Sequence, residues 1–174
     1  MFVKTMNDLS SYADTFERSL SKQKIKILVC GGTGCVAGGS LNIYNHLLNL
    51  VKESGALADV DLLKEDEGIG VKKSGCHGFC EAGPLVRIEP YNYLYLRVKL
   101  EDCDEIFNKT VMNGEPVERL MHQDNGILHK TQEEIPFYHK QTRLVLESRG
   151  HTDAQNIQEY IGSGGYTALS KVLG

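Results

Sequence analysis

Two stretches decide the fold: Ile25-Lys-Ile-Leu-Val29-Cys30-Gly-Gly-Thr-Gly-Cys35 and Val71-Lys-Lys-Ser-Gly75-Cys76-His-Gly-Phe-Cys80. The first is a β-branched run that stops abruptly at a cysteine and a glycine cluster, the pattern of a buried strand entering a tight loop. The second reads as a short strand leading directly into Cys76.

The pattern around them is that of an alternating α/β unit. Leu41, Tyr44, Leu47, Leu48 and Val51 recur at three- and four-residue steps, which predicts an amphipathic helix with Ser40 as its N-cap and Gly55 closing it. Residues 60–63 suggest a second strand before Gly68 and Gly70. Residues 85–89 and 93–98 alternate with period two around Pro90-Tyr91-Asn92, which predicts an antiparallel hairpin. In its second arm Leu94, Leu96 and Val98 alternate with Tyr93 and Tyr95; if the aliphatic face meets the helices, the tyrosines face a partner or solvent. Residues 101–112 read as a helix with acidic residues in its first turn, ended by Asn113-Gly114. The order β-α-β-β-β-β-α predicts an α/β layered domain over residues 23–113.

Residues 1–22 read as a short amphipathic helical extension carrying Leu9, Tyr12, Phe16 and Leu20. Residues 114–136 lose periodicity, and Gly114, Pro116, Asn125-Gly126 and Pro136 mark them as a linker. Helical spacing resumes in short pieces at 138–148, 153–161 and 166–173, too few to build a core alone.

The composition narrows the function. Of 174 residues, 41% are hydrophobic and 24% charged, as in a globular protein, and the formal charge of -4 disfavours nucleic acid, which needs a concentrated basic surface. No apolar run approaches bilayer length, and Asp8, Asp14 and Glu17 spoil a transit-peptide reading, so membrane insertion is not expected and a cytoplasmic location is. In that setting five cysteines are reduced thiols, metal ligands or redox centres rather than structural disulfides.

Four of the cysteines form two glycine-flanked pairs, with four residues between Cys30 and Cys35 and three between Cys76 and Cys80. An iron-sulfur cluster needs several thiolates converging from loops, and glycines let peptide N–H groups approach the sulfurs. Four cysteines also suit tetrahedral zinc, although zinc knuckles and thiol-disulfide sites favour two-residue spacings. Spacing alone leaves all three chemistries open. His77 is expected near the cluster rim rather than as a ligand, and Cys103, on a predicted helix, as a packing or surface thiol. Gly162-Ser163-Gly164-Gly165 reads as a helix-to-helix turn, because no strand precedes it.

The run Ile27-Leu-Val-Cys30-Gly-Gly-Thr-Gly-Cys35, a helix, and then Gly75-Cys76-His-Gly-Phe-Cys80-Glu-Ala-Gly-Pro84 resembles the thioredoxin-like [2Fe-2S] ferredoxins. The resemblance covers residues 24–113. It implies a thioredoxin-like fold, one-electron transfer, and a [2Fe-2S] cluster with Cys30, Cys35, Cys76 and Cys80 as its ligands.

A second resemblance lies in the tail: Gln141-Thr-Arg143-Leu, Asn156-Ile-Gln-Glu-Tyr160 and Gly164-Gly-Tyr166-Thr-Ala168-Leu169. These resemble the lead-in of the flavin- and NAD(P)H-binding subunit of complex I relatives and of electron-bifurcating hydrogenases. The implied context is a multi-subunit NAD(P)H-linked oxidoreductase of hydrogenase or NADH dehydrogenase type, with other redox subunits as partners and self-association into a homodimer as an alternative. FMN, NAD(P) and a [4Fe-4S] cluster would then belong to a domain beyond Gly174. Two rival readings are a stand-alone ferredoxin and a zinc-stabilised interaction module.

Overall fold

The aliphatic run ahead of Cys30 forms β1, Gln23–Cys30, and its last four residues are all buried. The computed structural model describes residues 6–21, 23–55, 68–147, 149–153 and 155–173. β2, Gly68–Ser74, lies parallel to β1 on one side, while β3, Val86–Glu89, and then β4, Tyr93–Tyr95, lie antiparallel on the other. Ile27 is thus flanked by Val71 and Ile88, the position of a central strand covered on both faces.

A parallel pair needs a crossover. It begins with a short helix in the cysteine loop, α2, Thr33–Ala37, followed by α3, Ser40–Glu53. Residues 56–67, and with them the strand expected at 60–63, fall outside the described residues. Ile43, Leu47 and Val51, four residues apart on α3, are buried in one cluster with Ile27, Val29, Val86 and Ile88. Each such side chain contributes about 1.5–3 kcal/mol by leaving water. The inward stripe differs from the expected one: Leu41 is exposed and Ile43 takes its place. The cap differs too. Gly39, at φ 92, precedes the helix in the left-handed region, and Ser40 is the first helical residue.

The hairpin forms, with Val86 opposite Tyr95 and Ile88 opposite Tyr93, and it is Tyr95, not Leu94 or Leu96, that meets the helices. Tyr95 is fully buried among the helix-side residues Ile106, Phe107 and Val111, whereas Leu94 and Leu96 face a second cluster containing Cys30 and Cys35. Tyr95 can sit in the helix-side core because its hydroxyl is partnered there, bonding to the Thr110 hydroxyl and accepting from the Val117 N–H at 3.2 Å. The helix expected over 101–112 forms as α4, Cys103–Glu105, continued by a π-helical Ile106–Val111, and Gly114 follows at φ 74.

The stretch 114–136 is not the linker its lack of periodicity suggested. Val117, Leu120 and Met121 join the helix-side core, and Ile135 joins the cysteine-side cluster. Its backbone completes the edge of β4: Leu94 N–H donates to Lys130 O at 3.0 Å and Leu96 N–H to Leu120 O at 2.7 Å. Between these points Asn125-Gly126, at φ 50 and 79, turns the hairpin of β5, His122–Asp124, and β6, Ile127–His129.

The N-terminal helix, α1, Met6–Ser21, buries Tyr12 and Phe16. In the tail, α5, Pro136–His139, is only four residues long, followed by α6, Ile157–Gly162, and α7, Thr167–Leu173. The helix expected over 138–148 stops at its first turn because Arg143 is drawn to the cysteine loop, its Nη2 donating to His77 O at 2.8 Å. Asn156 caps α6 by accepting from the Gln158 and Glu159 N–H groups. Gly162 ends α6 against α1, where a Cβ would stand 2.0 Å from Phe16 Cδ1. The glycine run 162–165 is the helix-to-helix turn it was read as. Glu159 is buried and pairs with Lys72 of β2, which fastens α6 to the sheet.

Two outcomes follow from these contacts. Tyr95→Phe leaves Thr110 and the Val117 N–H short of a buried partner and should cost about 1–3 kcal/mol in denaturant unfolding. Glu159→Gln strips Lys72 of its counter-charge, and amide exchange across α6 should accelerate on the order of a hundredfold. Unchanged protection of α6 would show that the ion pair does not anchor the tail.

Candidate metal centre

Because β1 and β2 are parallel, their C-terminal ends meet the same edge of the sheet. Cys30 is in register with Ser74, and Gly31 N–H donates to Ser74 O at 2.9 Å. Cys76 lies two residues further on, so the two cysteine loops leave the sheet side by side. Cys30 is the last residue of β1 and Cys35 sits on α2, both buried. Cys76 is half-buried, and Cys80, which opens a single 3-10 turn, is exposed.

The four thiols lie within reach of one another. The Cys30 thiol is lowered to about 6, first by the neighbouring Cys35 side chain, and Cys35 is raised by the same neighbour. Cys80 is raised first by the charge of Cys76 and then by a hydrogen bond with it. Cys30 also bonds the Cys76 side chain, which links the two pairs. Among the described residues, no three Cys, His, Asp or Glu side chains are arranged to hold one metal ion. Two loops that each bring two thiolates to one edge of the sheet suit a two-iron cluster.

Backbone N–H groups are aimed at the sulfurs. The amides of His77 and Gly32 serve Cys30, the amide of Leu85 serves Cys35, and Gly78 N–H donates to Cys76 Sγ at 3.4 Å. Two glycines are required by close approach. A Cβ on Gly32 would stand 2.9 Å from Cys76 Sγ, and one on Gly83 would stand 2.8 Å from Cys35 Sγ. Gly32 belongs to the expected glycine loop. Gly83, beyond the second cysteine pair, has a role at Cys35 that only the folded chain reveals.

His77 is fully buried rather than at a rim. Nε2 lies 2.9 Å from Ser74 Oγ and Nδ1 lies 3.0 Å from Gln132 Oε1, so both ring nitrogens are engaged by side chains. Burial lowers its pKa to about 4 and keeps the ring neutral, with Nδ1–H donating to Gln132. His77 is a brace between the cysteine loop and the segment expected to be a linker. Cys103 is buried in the helix-side core, where desolvation raises its thiol to about 12; it is a packing residue.

An aromatic wall closes the loop side. Phe79, next to Cys80, stacks on Phe137 at 4.8 Å and meets Tyr138 edge-on at 5.7 Å. The Tyr138 hydroxyl is buried and, among the described residues, finds no hydrogen-bond partner. Ser74, Gln132, Tyr138 and Arg143 carried no sequence signal for the site, since each reaches it through tertiary contacts. The donor set of paired soft thiolates, sulfur-directed amides and an orphaned hydroxyl fits an iron-sulfur cluster.

Comparison with known proteins agrees. Residues 6–111 match the family described as thioredoxin-like [2Fe-2S] ferredoxin. A [2Fe-2S] ferredoxin from Clostridium pasteurianum is 31% identical over 98 residues, which is 56% of this chain and 94% of that protein. A [2Fe-2S] ferredoxin from Aquifex aeolicus is 45% identical over 51 residues, 29% of this chain, and the match spans less than half of that protein, 46%. The solved thioredoxin-like [2Fe-2S] ferredoxin from Aquifex aeolicus aligns with a TM-score of 0.45 at 28% identity, covering 59% of this chain and 96% of that one. The chain belongs to the thioredoxin-like [2Fe-2S] ferredoxin family. It carries a [2Fe-2S] cluster and is an electron carrier. Among the described residues no helix is long and apolar enough to cross a membrane.

The Gly32 contact gives a direct test. Gly32→Ala should fold, because its φ is -65 and lies in an ordinary region. It should nevertheless lose most of its iron, because the new methyl displaces Cys76 Sγ. Full iron content in that variant would show that the loops tolerate separation.

Proposed function

We propose that Cys30 and Cys35 hold one iron of the cluster and Cys76 and Cys80 the other, and that the chain is the [2Fe-2S] domain of a multi-subunit NAD(P)H-linked oxidoreductase of hydrogenase or NADH dehydrogenase type. The observation that carries the ligand assignment is the pairing of the four thiols across two loops set side by side by parallel strands. A bound [2Fe-2S] cluster accepts and returns one electron. The chain's own residues do the rest. The amides of Gly32, His77, Gly78 and Leu85 offset the negative charge at the sulfurs, and Leu85, Leu94, Leu96 and Ile135 exclude water behind Cys30 and Cys35.

The wider assembly is supported by the tail, whose sequence resembles the lead-in of a flavin- and NAD(P)H-binding subunit. Leu144, Val145, Val172 and Leu173 are strongly exposed, an apolar surface suited to other subunits of a cytoplasmic redox complex. In this reading hydride chemistry belongs to the flavin part and single electrons to this domain. A stand-alone carrier is the second reading, favoured by the match to nearly the whole Clostridium pasteurianum ferredoxin. Isolation of the native protein separates them. A large species containing flavin and oxidising NAD(P)H supports the complex, and a small flavin-free carrier that NAD(P)H does not reduce overturns it.

The purified chain should be red-brown, with about two irons and about two acid-labile sulfides. Replacing Cys30, Cys35, Cys76 or Cys80 by Ser should make the cluster labile, while Cys103→Ser should keep it. Stoichiometric zinc without visible absorbance would overturn the ligand assignment, as would cluster loss in Cys103→Ser with retention in Cys35→Ser.

A further inference from the structure

We infer that the Tyr138 hydroxyl donates a hydrogen bond to the bound cluster, and that Arg143 strengthens that bond. Both residues lie beyond the 6–111 span that matches the family. The inference rests on the ligand assignment proposed above.

Tyr138 is 7% exposed and belongs to one buried cluster with Cys30, Cys35, Ala82, Leu85, Leu94, Leu96 and Ile135. Of those side chains only the cysteines carry an acceptor. The ring is fixed by edge contacts with Phe79 and Phe137, at 5.7 and 5.1 Å between centroids. Its oxygen has no partner among the described residues, a state that native proteins avoid.

Arg143 stands over the other face of this arrangement, its guanidinium carbon 5.5 Å from the Tyr138 ring centroid. Its two ends are held by backbone: Nη2 donates to His77 O at 2.8 Å and Nη1 to Arg149 O at 3.3 Å. A cation over a phenol ring draws electron density from the oxygen and makes the O–H a better donor. Reduction adds one negative charge to the cluster, and a hydrogen bond to the more anionic state is the stronger one. Tyr138 therefore favours the reduced cluster and raises its potential.

Tyr138→Phe keeps the ring and its packing while deleting only the donor. In an optical redox titration its ratio of reduced to oxidised cluster at fixed potential should fall about tenfold, a downward shift of about 59 mV for a one-electron couple. The deuterium sensitivity of the iron-sulfur stretching bands in resonance Raman spectra should fall with it, a signature that altered packing does not produce. Arg143→Gln should shift the potential the same way by a smaller factor, and Arg143→Lys should restore part of it. A Tyr138→Phe protein with the wild-type potential and the wild-type deuterium shifts overturns the inference while leaving the ligand assignment intact. If Tyr138→Phe sheds its cluster, Arg143→Gln decides, and an unchanged potential there overturns the inference equally. A wild-type chain that takes up no iron and sulfide would instead overturn the ligand assignment.

Discussion

In a parallel pair both strands finish at the same edge, and the register of β1 with β2 places Cys30 opposite Ser74, two residues before Cys76. The remainder of the site depends on that pairing. Had β1 and β2 run antiparallel, the two cysteine loops would leave opposite ends of the sheet, some 20 Å apart for strands of this length at about 3.3 Å per residue. The same register lets Ser74 serve three neighbours: its carbonyl accepts from Gly31, and its hydroxyl meets both Val29 O and the His77 ring. The core under α3 holds the strands in this register, because a one-residue slip would turn Val29 and Val71 away from Ile43 and Leu47.

Around this edge the later part of the chain is built in rather than appended. Gln132 braces His77, Arg143 holds the His77 carbonyl, and Thr152 O accepts from Gly75 N–H at 2.9 Å. Three successive segments after residue 130 thus grip the second cysteine loop, and Glu159 ties α6 to the strand that feeds it. A charged pair this buried is a poor source of net stability but a strict one of geometry, since either partner alone is costly to bury.

What the sequence made legible is local. The cysteine spacings, the glycines between them, the helix over 40–53 and the turn at 90–92 are written in neighbouring residues, and each formed. What it hid is set by distant partners. Whether Tyr95 or Leu96 faces the helices depends on Thr110 and Val117, far along the chain, which can satisfy a buried hydroxyl on one side only. The spacing of 138–148 suits a helix, yet the pull of His77 O on Arg143 wins over local propensity. Asn125-Gly126 carried a hairpin signal, but the flanking strands, three residues each, were too short to show period-two alternation. Nothing near Glu159 in the sequence marks it as buried, because Lys72 lies 87 positions away and the register of α6 against β2 is not encoded nearby.

The four thiols of the edge are not equally sheltered: Cys30 and Cys35 are buried in one cluster with Leu85, Leu94, Leu96 and Ile135, Cys76 is half-covered, and Cys80 stands in water. Wear at such a centre has a direction. Oxidants and chelators arriving from solvent meet Cys80 first and Cys76 next, so damage begins at the outer pair while the inner pair stays protected by the sheet.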